Sequence, residues 1–150
     1  MASIEEILDF AIVEEQQSYE FYMKLAGKME ADAMRRVFEE FAREEQGHKA
    51  RLQAMKDGKL SIASSAEENV PDLKIADYVV DVQPSADMDY QEALVLAMKK
   101  EKAAFMLYSD LAALVEDDAH KEVFLSLAQE EAKHKLRFEV EYDQEILSQN

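Results

Sequence analysis

Residues 43–49 read REEQGHK and residues 129–135 read QEEAKHK. Glu45 and His48 stand three apart in the first stretch, as do Glu131 and His134 in the second. Residues at that spacing project from one face of an α-helix, so each stretch sets a carboxylate beside an imidazole. With 21 Glu and 3 His in 150 residues, chance supplies about 0.4 such pairs, so a single pair would mean little. Two pairs use up two of the three histidines.

The pairs also lie in register. Sliding the sequence by 86 residues without a gap aligns Glu15 with Glu101, Tyr22 with Tyr108, Phe38 with Phe124, Glu45 with Glu131 and His48 with His134. From position 6 to position 51, 18 of 46 aligned pairs are identical, which marks an internal duplication. Helix-start signals repeat with it. Ser3 with Glu6 and Asp89 with Glu92 have capping-box spacing, and Asp32 aligned with Asp118 predicts a matching pair of N-caps. The pattern predicts helices over about 4–29, 32–56, 89–115 and 118–147, in two hairpins spanning 1–56 and 89–150 of one domain. Residues 57–88 hold Gly58, Pro71 and Pro84 and read as a connection rather than a helix. A connection of that length can cross over and start the third helix at the far end of a four-helix bundle. Its segment IADYVVDV, 75–82, reads as loop with apolar anchors.

On each helix, steps of three and four pick out the stripe that faces a core. The stripes are Ile4, Leu8, Ala11, Glu15, Ser18, Tyr22, Leu25 and Met29; Met34, Phe38, Phe41, Glu45, His48, Leu52 and Met55; Tyr90, Leu94, Ala97, Glu101, Ala104, Tyr108, Leu111 and Val115; and His120, Phe124, Leu127, Glu131, His134 and Phe138. Apart from His120 at the head of the fourth, each carries its charged and imidazole residues near its middle. Four glutamates and two histidines are thus expected at one level of the interior, where a carboxylate without a counter-charge costs several kcal/mol. Divalent metal removes that cost. Oxygen and imidazole ligands suit iron or manganese, and four carboxylates neutralise two divalent ions. Glu15, Glu45, His48, Glu101, Glu131 and His134 are therefore the candidate metal ligands, and the same six are the candidate catalytic residues. Glu14, Glu44 and Glu130 lie off the stripe as solvated or outer groups, His120 is expected at a surface or cap, and Tyr22 and Tyr108 read as core aromatics. A metal-free helical scaffold is the bland alternative, and it leaves Glu15 and Glu101 unexplained.

Composition narrows the chemistry further. Apolar residues are 48% and charged residues 33%, with 3 Gly and 2 Pro, a balance suited to packed helices. The sequence has no cysteine, which rules out disulfides, thiolate catalysis and iron–sulfur ligation within it and fits a reducing cytoplasm. A net charge of −16 opposes nucleic acid and anionic membranes, and no apolar run approaches the roughly 18 residues of a membrane span.

The stretches EEQQSYEFYMKLA and FAREEQGHK, and KKEKAAFMLYSDLA and LAQEEAKHK, resemble the rubrerythrin-like branch of the ferritin-like di-iron carboxylate superfamily over essentially the whole chain. The resemblance implies an all-α, ferritin-like four-helix bundle of two homologous hairpins. It also implies two iron ions, with manganese or zinc as substitutes, held by Glu15 and Glu101 from the first and third helices and by the Glu-x-x-His pairs of the second and fourth. The activity it implies is reduction of hydrogen peroxide or dioxygen, with oxidation or storage of ferrous iron as the alternative. A homodimer and an external electron donor are expected with it. Rubrerythrins proper add a four-cysteine rubredoxin domain and a further third-helix glutamate, where this sequence has no cysteine and carries Met98 and Ala104.

Overall fold

The computed structural model describes residues 2–58, 69–70, 74–80 and 88–149. Four long helices dominate them: α1 (Ile4–Lys28), α2 (Asp32–Lys56), α3 (Tyr90–Leu114) and α4 (Asp118–Gln149). The predicted helices match these to within two residues at every end. Each α–α link has only three residues, 29–31 and 115–117, which is short enough to force an antiparallel hairpin. The chain divides into two compact units, Met1–Ile75 with Val115–His120, and Ala76–Leu114 with Lys121–Asn150.

In the first unit α1 and α2 pack along the predicted seam. Ile4, Leu8, Ala11, Tyr22 and Leu25 are buried on α1, and Phe38, Leu52 and Met55 on α2. Ile7, Phe21, Ala26 and Ala42 are buried as well, so the core stripe is wider than a strict two-position seam. Rings meet across the hairpin, with Tyr22 edge-on to Phe41 at 6.4 Å between centroids. Helix α2 ends where Gly58 turns to φ 81, a left-handed conformation that costs glycine least. There the Gly58 N–H bonds the Met55 carbonyl. Two residues ahead of α1, Ala2–Ser3 (β1), pair antiparallel with Asn69–Val70 (β2), a ladder that no sequence pattern announces.

The second unit repeats this plan. Leu94, Ala97, Tyr108 and Leu111 of α3 and Phe124, Leu127 and Phe138 of α4 are buried, and Tyr108 stacks on Phe124 at 6.5 Å. The Asp89–Glu92 capping box forms in both directions: the Glu92 N–H donates to Asp89 Oδ1 at 2.8 Å and the Asp89 N–H to Glu92 Oε1 at 3.4 Å.

The caps of α2 and α4 depart from expectation. Asp32 is the first helical residue rather than the N-cap. Ala31 holds the cap position without a side-chain bond, and Asp32 pairs with Arg35 instead. At α4 the cap is Asp117, one residue before the expected Asp118, and its Oδ1 accepts the His120 N–H at 3.0 Å. His120 is itself buried, contrary to the surface role expected of it, because it lies on the core stripe from its first turn.

Of the 57–88 connection, Ile75–Tyr78 forms a single 3-10 turn where plain loop was expected. Tyr78 is buried and donates to Asp110 Oδ2 at 2.7 Å, which pins the turn to α3. The crossover, both prolines and residues 81–82 lie outside the described residues. Among the described residues no helix is long and apolar enough to cross a membrane.

Candidate metal centre

Each hairpin carries its own donor set. In the first, Glu15 projects from the middle of α1, and Glu45 and His48 from adjacent turns of α2. His48 Nδ1 lies 3.6 Å from Glu15 Oε2 and 3.5 Å from Glu45 Oε1. In the second, His134 Nδ1 of α4 lies 3.5 Å from Glu101 Oε1 of α3, with Glu131 one turn before it. Within each trio the ligand atoms lie within 4.8 Å of one another. All six side chains are buried, none more than 3% exposed. Each hairpin thus brings together the three residues that the sequence singled out in it.

The local sequence explains the placement. Glu15 and Glu101 take stripe positions that on neighbouring turns hold Ala11 and Ala97, small residues beside which a carboxylate fits without displacing core packing. His48 and His134 follow their glutamates by three residues, less than one full turn, which turns both side chains toward the partner helix. Gly47 sits on the exposed side between Glu45 and His48, and a Cβ built there meets nothing within 4 Å. Lys133 holds the matching place in the second hairpin, so the donor geometry does not depend on glycine.

The donor set tests well against a metal. Imidazole–carboxylate separations of 3.5 to 3.6 Å exceed an ordinary N–H···O bond of about 2.9 Å, while all the donors remain within one coordination sphere's reach. Two carboxylates and an imidazole per hairpin are hard and borderline ligands, the chemistry of iron, manganese or zinc rather than of thiolate-seeking ions. Burying two glutamates side by side is costly without cationic charge to balance them.

The remaining candidates fall outside the trios. Glu14, Glu44 and Glu130 are half-buried and off the stripe. His120 Nδ1 faces Asp117 at 3.7 Å, at the start of α4, and Tyr22 and Tyr108 are core rings two turns from the stripe glutamates. Sequence reasoning missed Tyr78 and Asp110, whose bond joins residues 32 apart without a local pattern to reveal it.

Comparison with known proteins places this arrangement. A family model for rubrerythrin matches residues 6–142. Among solved structures, the chain is similar to a hypothetical protein from Pyrococcus furiosus, 28% identical over 94% of this chain and 89% of that one, with a TM-score of 0.72. It is also similar to a Thermotoga maritima protein described as a candidate ferritin-like diiron-carboxylate protein, 19% identical over 96% of this chain and 97% of that one, with a TM-score of 0.83. At that identity the second likeness carries the fold alone, an all-α ferritin-like four-helix bundle. No curated protein matches significantly.

Proposed function

This chain belongs to the rubrerythrin family, and from that premise we propose that it is a di-iron carboxylate oxidoreductase of the cytoplasm that reduces hydrogen peroxide or dioxygen with electrons from an external donor. The observation that carries the reading is the twice-repeated buried trio of two glutamates and a histidine. Glu15, Glu45 and His48 with Glu101, Glu131 and His134 would hold two ions, their four carboxylates balancing four positive charges. Bound iron would supply reversible ferrous–ferric chemistry, one electron per ion, and two electrons with two protons convert hydrogen peroxide to two waters.

The chain's own residues do the rest. The glutamates keep negative charge at the site through the change in metal charge. The histidines add neutral donors, and burial on every side keeps bulk water from competing for the ligands. The sequence offers no cysteine for internal electron delivery, so oxidation should outrun re-reduction until a reductant is added. That feature also gives weight to the second reading, oxidation or storage of ferrous iron without peroxide turnover.

One experiment separates the readings. Protein loaded anaerobically with two ferrous ions is mixed with stoichiometric hydrogen peroxide or dioxygen and followed by stopped-flow absorbance in the ferric charge-transfer region. Rapid oxidation with peroxide as the better oxidant, and steady turnover only with added reductant, supports the peroxidase. Faster reaction with dioxygen favours ferrous oxidation, and no reaction with either oxidant would sink the redox reading.

A further inference from the structure

The two hairpins differ along one flank. In the first, Lys56 of α2 reaches Asp9 of α1 in an ion pair that bridges the furrow between the helices. The matching positions of the second hairpin hold Tyr142 and Val95, which cannot make that bridge. The place of half-buried Phe10 is taken by the smaller Leu96, and that of Val13 by Lys99. The furrow stays open. Met88, Val95, Leu96 and Tyr142 wall a cavity of about 300 Å³, with Gln91, Glu92 and Lys99 also lining it. Leu96 among them is buried, 1% exposed.

A volume at the lower end of the usual range, apolar walls and a few placed polar groups are the build of a small-molecule site. The order along α3 gives it a direction. Glu92 and Lys99 are seven residues apart, about 10.5 Å of helix axis, with Val95 and Leu96 between them. One end therefore offers a carboxylate acceptor and the other an ammonium donor. A ligand with two acids would set one of them against Glu92, and a ligand with an amine at the far end would set it against Lys99. A flat ring fits the middle, against the Tyr142 ring and the aliphatic walls.

We propose that the cavity between α3 and α4 binds a para-hydroxyaryl carboxylate, its acid group held by Lys99 and its hydroxyl donating to Glu92. Binding at this site needs no metal, so it stands or falls apart from the redox reading.

The test titrates 4-hydroxyphenylacetate into the isotope-labelled full chain and follows backbone amide shifts by NMR. Saturable shifts confined to residues 88–99 and the neighbourhood of Tyr142 are expected. Val95→Asp with Tyr142→Lys, which copies the bridge of the first hairpin, should abolish them. Leu96→Phe, which restores the bulk of Phe10, is a second closing variant should the first unfold. Lys99→Gln alters an exposed side chain, and it should weaken the acid about tenfold or more while leaving 4-ethylphenol binding unchanged. No saturable shift up to about 10 mM, or undiminished binding by a folded closing variant, overturns the site. Equal loss of acid and phenol on Lys99→Gln overturns the assigned polarity.

Discussion

In the first hairpin, ties along the rim include Lys56 to Asp9, Lys49 Nζ to Gln16 Oε1 at 2.8 Å and Gln46 Nε2 to Gln16 Oε1 at 3.4 Å. In the second the Tyr90 hydroxyl donates to Glu141 Oε1 at 3.1 Å, and Tyr78 of the connection bonds Asp110 of α3. Eighty-six residues away, Lys56 and Asp9 fall on Tyr142 and Val95, Lys49 and Gln16 on Lys135 and Lys102, and Tyr90 and Glu141 on Ile4 and Met55, none of which can pair in the same way. Inside, the two halves agree: Glu15, Glu45 and His48 match Glu101, Glu131 and His134, and Tyr22 and Phe38 match Tyr108 and Phe124, all buried. The difference follows from cost. Exchanging a buried group costs roughly 2–5 kcal/mol, whereas a change at the rim typically costs less than about 0.5. Duplicated halves can therefore drift apart in how they are tied together while their packing and donor sets stay alike.

The sharpest way to break that comparison is to remove one donor from each half in turn. Glu45→Ala and Glu131→Ala are each expected to weaken iron binding about 100-fold or more, by similar factors, and the double variant to abolish it. Titration of the apoprotein with ferrous iron under anaerobic conditions measures this, with circular dichroism confirming that the helices persist. A large effect in one half and none in the other would show that the halves are not equivalent as metal sites. A double variant that still takes up two ions as tightly as the parent would refute the ligand assignment.

How far the sequence speaks follows the same division. All four helices and the burial of all six candidate ligands were legible because a seam of steps three and four, repeated 86 residues later, leaves little freedom in what is buried. The Asp89–Glu92 box was legible because it is local. Asp117 was missed by one residue in favour of Asp118, since both are aspartates and only the reach of Oδ1 to the His120 N–H decides between them. His120 sits on the core stripe, yet its closeness to a helix start suggested exposure. The β1–β2 ladder is two residues long, too short for any periodicity, and the Tyr78–Asp110 bond depends on where the connection returns to α3. The unbridged furrow shows only when the two halves are compared side by side, because it is a pair that one half lacks.

A smaller effect should separate the halves in alkali. The hydroxyls of Tyr78 and Tyr90 are both pushed well above the ordinary 10.0. Burial is the larger cause for each, followed for Tyr78 by its bond to Asp110 and for Tyr90 by the Glu141 charge. The unfolded chain ionises these groups near pH 10 while the folded protein holds them neutral, so their contribution is complete below pH 10 and is lost as pH rises above it. In the first hairpin Ile4 stands in the place of Tyr90. Thermal melts from pH 9 to 11 should fall more steeply for the parent than for Tyr78→Phe with Tyr90→Phe. After solvent screening the difference should be about 1 kcal/mol, or roughly 2–4 °C in Tm. Parallel curves would mean that the two hydroxyls are not held neutral in the folded protein.

The smallest contrast is also the most easily reversed. Helix α4 begins with Asp117 capping the His120 N–H, while α2 begins with Ala31 in the extended conformation a cap requires, φ −77 and ψ 125, but without a side chain to make the bond. The backbone of the first hairpin is thus already prepared for a residue it does not have. Asp117→Ala should cost about 1 kcal/mol, and Ala31→Asp should gain somewhat less, because Asp32 beside it already favours the helix N-terminus and adds like-charge repulsion. Combining the two substitutions moves the cap from one hairpin to the other and should leave the stability of the whole nearly unchanged, since the sites share no partner. Urea denaturation at neutral pH measures all three, with the midpoint shifting and the slope constant. If Ala31→Asp gains nothing while Asp117→Ala costs the full amount, then the cap matters through the His120 it holds at the head of α4 and not through the helix end alone.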